Sequence, residues 1–197
     1  PGKTLRMTGG LGPLQGMGVG GAVEFPLAPT HTFPSGTQDI GAAVAWVKAH
    51  AADYGGDPDR IFLMGHSAAC AHCATAAWDD AVRPEGGLPL AGLVLVSPRV
   101  AADVRPENPN AHGVRAYYGD DASRYEERSP MGRVRRDAPP TLVAVAVAQY
   151  ENPLLDFQAF ELAHRLAQAT DALGAPMPRF VQVADHNHMS IVTQFDT

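Results

Sequence analysis

Ser67 stands at the tip of the stretch Ile61-Phe-Leu-Met-Gly-His-Ser-Ala-Ala-Cys70. A serine hydroxyl is a weak nucleophile on its own. It becomes a strong one when a nearby base takes its proton and an acid orients that base. Both groups occur further along the chain. Gln149-Tyr-Glu-Asn-Pro-Leu-Leu-Asp156 holds two carboxylates, Glu151 and Asp156. Asp185-His-Asn-His-Met-Ser190 holds two imidazoles, His186 and His188. Serine, then acid, then histidine is the order used when the serine sits on a strand-to-helix turn above a parallel sheet. The chemistry these residues could perform is nucleophilic acyl transfer.

The elements around them fit that arrangement. Ile61 to Met64 reads as a short apolar strand and the alanine-rich run Ala68 to Trp78 as a helix, so Ser67 lies in a sharp turn between them. Such a turn is crowded, and Gly65 and Ala69, two residues to either side of Ser67, are suitably small. Leu90 to Val96 is a near-continuous apolar run, as expected of a strand buried on both faces. Thr141 to Ala148 and Phe180 to Val183 read as the strands that precede the acid and histidine loops. Lys3 to Met7 and Val19 to Phe25 read as earlier strands. Residues 37–53 form an amphipathic helix with Thr37 and Asp39 as starting residues. A second helix runs from Asp156 or Phe157 to Leu173, with Leu162, Leu166, Ala169 and Leu173 on one side. Strands alternating with helices predict an α/β fold with a mostly parallel central sheet flanked by helices. Loops at the carboxyl ends of such strands carry the site. Residues 1–197 suit one domain, within which the proline-rich segment 99–140 is a lid-like or cap-like insertion with short helices.

Composition sets bounds. A chain of 197 residues with 45% hydrophobic and 18% charged residues is globular. The net charge of −6 is spread along the chain without a basic stripe, which argues against a nucleic-acid partner. No apolar run approaches the roughly 20 residues that span a bilayer. Cys70 and Cys73 form a C-x-x-C with no second pair to complete a zinc site, so they read as small packed side chains in a reducing cytoplasm. Asp57-Pro-Asp-Arg60 reads as a turn with a salt bridge, and Arg133, Arg135 and Arg136 as a solvated basic run. Met17, Met64, Phe157 and Phe160 read as core. An exposed sheet edge near the N-terminus would be covered by pairing with a second copy, a homodimer.

The chain resembles α/β-hydrolase carboxylesterases, close to the hormone-sensitive-lipase-like and arylformamidase-like esterases. The resemblance rests on Phe25-Pro-Leu-Ala-Pro29, Phe33-Pro34, Tyr54-Gly-Gly-Asp-Pro-Asp-Arg60, Gly65-His-Ser-Ala-Ala69, Tyr117-Tyr-Gly-Asp120 and His186-Asn-His-Met-Ser190, which follow the family order across most of the chain. It implies Ser67 as nucleophile and His188, before Met-Ser, as base, with His186 the lesser alternative. It implies Glu151, directly after the strand, as acid in preference to Asp156, whose other role is to cap the following helix. The backbone N–H of Ala68 is the first oxyanion donor. The others come from a loop matched here by Thr8-Gly9-Gly10, where threonine replaces the family's histidine and the N-terminal region is abbreviated. His66 packs and shapes the pocket. The implied substrate is a small carboxylic ester, with no metal or organic cofactor. An arylformamidase-like amide hydrolase and a non-catalytic binding module are the alternatives.

Overall fold

The computed structural model describes residues 4–8, 19–83, 85, 87–134, 142–174 and 176–194. Its centre is a four-stranded parallel sheet of β3 (Phe62–His66), β4 (Gly92–Val96), β5 (Leu142–Tyr150) and β6 (Arg179–Asn187), which lie side by side in chain order. Helix α2 (Ala68–Trp78) follows β3, and helix α5 (Leu155–Leu173) follows β5. The connection from β4 to β5 contains α3 (Ala111–Tyr118), α4 (Tyr125–Arg128) and 3₁₀ turns at Ala122–Arg124 and Pro130–Arg133. A last turn of helix, α6 (Ser190–Thr193), closes the described chain.

Two strands stand apart from the expected central sheet. β1 (Thr4–Thr8) and β2 (Gly20–Glu24) pair antiparallel, from Thr4 opposite Glu24 to Thr8 opposite Gly20. The sequence from Gly12 to Gly21 is glycine-rich and lacks a helical pattern. Parallel pairing needs a crossover of about a dozen residues or more, whereas a chain that doubles back needs far less.

The core lies on one face of the parallel sheet. Leu93, Leu95, Val143, Val145 and Val147 meet Cys70, Cys73, Ala74 and Trp78 of α2 and Ala159, Leu162 and Leu166 of α5. Helix α1 (Ser35–His50) adds Ile40 and Val44. It begins two residues before the expected start, and Thr37 and Asp39 are buried within it rather than capping it. Alternate residues of the strands point the other way. There Val96, Ala148 and Ile191 form a much smaller cluster under α6. Away from α6 that face is thinly covered, and Phe62 and Met64 on β3 and Val181 on β6 are about half exposed. The expectation that Met64, Phe157 and Phe160 belong to the core therefore fails. Met64 is 50% exposed and Phe157 68%, while Phe160, at 52%, stacks on Phe180 at 4.9 Å. Met17 lies outside the described residues.

The segment after β4 is packed in place. Val114, Tyr118 and Tyr125 form a cluster joined by Phe33, and Met131 reaches the main core. Arg133 is not part of a solvated basic run, because it donates to Glu127 O at 2.8 Å and pairs with the buried carboxylate of Asp79. Arg135 and Arg136 lie outside the described residues. In the Asp57–Arg60 turn, Asp59 N–H donates to Asp57 Oδ1. The ion pair there joins Asp59 to Lys48.

Candidate active site

Ser67 occupies the single-residue turn between β3 and α2, with φ 54° and ψ −121°. A non-glycine residue there is strained, and the strain persists only where neighbours over-determine the backbone. They do so here. Ser67 N–H donates to Val96 O at 3.0 Å, and Ser67 O accepts from Cys70 N–H at 3.1 Å and Arg99 N–H at 3.2 Å. Gly65 permits the turn, since a Cβ there would lie 3.0 Å from both Cys70 Cα and Cys70 N. Ala69, where glycine is usual in such turns, is partly exposed in the first turn of α2, so its methyl group has room. Ala68 is the first residue of α2. Its N–H has no intrahelical acceptor, and the positive end of the helix dipole lies beside it.

Strand register brings the acid and histidine loops together. β5 and β6 pair from Ala144 opposite Arg179 to Ala148 opposite Val183, and then Tyr150 lies opposite Asn187. Across this irregularity β6 takes in extra chain at Asp185, whose φ is 60°. The shift places the next residue of each strand, Glu151 and His188, side by side. His188 Nδ1 and Glu151 Oε1 are 2.6 Å apart, and both side chains are largely buried. Glu151 also accepts from Asn152 N–H at 2.8 Å and, more weakly, from Ala148 N–H at 3.4 Å. Burial alone would raise its pKa. The His188 hydrogen bond, the neighbouring Ser97 hydroxyl and the Asn152 N–H outweigh burial and hold the carboxyl at about 2. The Ser97 contact falls short of a well-formed hydrogen bond, so His188 and Asn152 carry most of that effect.

The histidine loop is tied to the elbow. His66, directly before Ser67, donates from Nε2 to His188 O at 2.9 Å, and the two rings lie 4.6 Å apart. Burial lowers the His66 pKa, in keeping with a neutral ring used for packing. Asn187 Oδ1 accepts from the N–H groups of Met189 and Ser190 and fixes the turn that carries His188.

The other expected residues fall elsewhere. His186 Nδ1 faces Ser190 Oγ at 3.1 Å. Asp156 lies in the first turn of α5 and accepts from Phe157 N–H. Gly9 and Gly10 lie outside the described residues. Sequence reasoning missed the segment after β4. Ser97 is fully buried with φ 48°, and Arg99 ties its backbone to the Ser67 carbonyl. An apolar run followed by Pro98 marks a strand end, but no residue type announces this contact. It also missed Gln149, whose Oε1 accepts from Asp185 N–H at 2.8 Å and supports the irregularity in β6.

Among the described residues, no helix is long and apolar enough to cross a membrane. Comparison with known proteins finds similarity to esterases. Esterase LipQ of Mycobacterium tuberculosis is 28% identical over 170 residues, covering 80% of this chain and 40% of its own length. Carboxylesterase NlhH of the same species is 41% identical over 83 residues, 42% of this chain and 25% of that protein. Among solved structures, a bacterial heroin esterase superposes with a TM-score of 0.67 at 26% identity, covering 89% of this chain and 59% of that one. The chain thus spans about two fifths of the length of LipQ. Residues 21–175 match the profile described as alpha/beta hydrolase fold, and the chain belongs to that family.

Proposed function

We propose that the protein is a serine hydrolase of small carboxylic esters, working through an acyl-enzyme. Ser67 Oγ attacks the ester carbonyl as His188 takes its proton. His188 then returns that proton to the departing alkoxide, which leaves as the alcohol. Glu151 fixes the imidazole tautomer and supports its positive charge. A water molecule, deprotonated by His188, attacks the acyl-enzyme, releasing the acid and restoring Ser67. The Ala68 N–H stabilises the oxyanion, and Gly9 and Gly10 supply the remaining donors. In this reading the described part of the 99–140 segment, residues 99–134, serves as a lid over the site.

The observation that carries this reading is the 2.6 Å contact between Glu151 and His188 on a loop held against the residue before Ser67. The free, buried thiols of Cys70 and Cys73 are in keeping with a reducing cytoplasm. The β3 edge pairs with a second copy in this reading, and light scattering that returned a monomer would remove that part. The central test is turnover of p-nitrophenyl acetate together with fluorophosphonate labelling of Ser67. The wild type should do both and Ser67→Ala neither. Folded protein inert to both reagents would overturn the reading.

A further inference from the structure

Arg99 is fixed against the elbow by its backbone, because its N–H donates to Ser67 O at 3.2 Å. Its side chain is partly buried beside the same site, within electrostatic reach of Glu151, Asp103 and Tyr118. Guanidinium stays charged in proteins, so Arg99 is a partly desolvated cation. A cation in that position is costly unless an anion or several acceptors meet it.

The carboxylates within reach are already engaged. Asp103 accepts from Arg105 through both oxygens, Nε at 3.0 and 3.1 Å and Nη2 at 2.7 Å. Glu151 is held by His188 and Asn152. Among the described residues Arg99 closes no salt bridge. Its guanidinium makes one hydrogen bond there, from Nη1 to Asn108 Oδ1 at 3.2 Å. Asn108 is itself buried and locked by its own bond from Nδ2 to Asp103 O. One edge of a rigid planar fork is thus anchored, and among the described residues the other N–H groups meet no protein acceptor. A fork of this kind matches a carboxylate with two parallel hydrogen bonds.

We propose that Arg99 is a specificity-determining residue that receives a carboxylate carried by the ester substrate away from its scissile carbonyl. The inference rests on the esterase reading of Ser67, Glu151 and His188, and it narrows the substrate class to esters bearing a second, anionic group.

Two matched pairs of substrates test it and locate the charge. Ethyl hydrogen adipate against ethyl hexanoate places the carboxylate on the acyl side. Para-acetoxybenzoate against para-tolyl acetate places it on the alcohol side. The wild type should favour the charged member of one pair in kcat/KM by about tenfold. Arg99→Met should abolish that preference, Arg99→Lys should keep part of it, and salt at about 0.5 M should weaken it in the wild type. Fluorophosphonate labelling of Ser67 in each variant reports an intact elbow. If Arg99→Met does not fold, Arg99→Lys and the salt dependence decide. The inference is overturned if neither pair shows a charge preference, or if a labelled Arg99→Met slows both members of each pair equally. Hydrolysis of the neutral esters with no charge preference would sink this inference and leave the esterase reading standing. Absence of all turnover and labelling would sink both.

Discussion

At the residue scale, the short contact between Glu151 and His188 makes the two carboxylates separable by experiment. Glu151→Gln removes the charge and presents an amide where His188 needs an acceptor. In the proposed mechanism this should lower kcat by about 10³- to 10⁴-fold, with the fold retained. Among the described residues Asp156 bonds only its own helix turn, so Asp156→Asn should keep kcat within about twofold and cost about 0.5 kcal/mol of stability through the lost dipole interaction. Steady-state kinetics on a p-nitrophenyl ester and thermal denaturation of both variants check this, and the reverse pattern would reassign the acid. Gly65→Ala tests the elbow itself. The added methyl group would meet backbone atoms that cannot swing away, so unfolding should become easier by about 1–3 kcal/mol. The motif was legible in the sequence because crowding demands small residues at fixed offsets. The choice between Glu151 and Asp156 was open there because both carboxylates follow the same strand and only register separates them.

At the element scale, strain is collected at one end of the sheet. The described non-glycine residues with positive φ are Ser67, Ser97, Leu154 and Asp185. Ser67 and Ser97 directly follow β3 and β4, Leu154 lies just past β5, and Asp185 lies near the end of β6. Each re-aims the chain where a site residue must be presented. No residue type marks these positions, which is why the segment after β4 escaped notice. That segment depends on α5. Gln158, 7% exposed, accepts at Oε1 from the N–H groups of both Val100 and Ala101. Gln158→Leu fills the space but orphans two N–H groups, one of them buried. It should destabilise the protein by about 2–4 kcal/mol in urea unfolding and lower turnover through Arg99 and Ser97. On α2, burial pushes the Cys73 thiol up to about 12 and raises Cys70 as well. Both thiols are nearly sealed in the main core. A thiol-reactive disulfide such as DTNB should label neither cysteine in the native protein and both after unfolding.

At the scale of the whole molecule, the alternation of strands and helices was readable because period-2 and period-3.6 patterns survive wherever one face is buried. What was not readable is how unevenly the sheet is covered. An apolar strand such as β4 reads alike whether its second face meets a helix or only the small cluster at Ile191. Stability therefore leans on the face shared by α1, α2 and α5, and a titratable group is buried within that packing. His72 of α2 sits edge-on to Phe25 at 4.6 Å and to Tyr117 at 5.0 Å, and Gly36 leaves room for its ring. Burial holds its pKa down at about 4, while the nearby charge of Asp39 pulls the other way. A histidine depressed in the folded state binds its proton more readily when unfolded. Its contribution is complete above the unfolded value of 6.5 and is lost as pH falls toward 4. That loss is roughly 3 kcal/mol. Glu151 adds a second loss at lower pH, between its ordinary 4.5 and about 2. That loss is at most about 3 kcal/mol. Stability measured by urea unfolding should hold near pH 7, fall between about 6.5 and 4, and fall again below 4.5. His72→Leu should flatten the first limb and leave the second, and Glu151→Gln should do the opposite. A single acid limb unchanged in His72→Leu would show that the buried imidazole is not what makes the fold sensitive to acid.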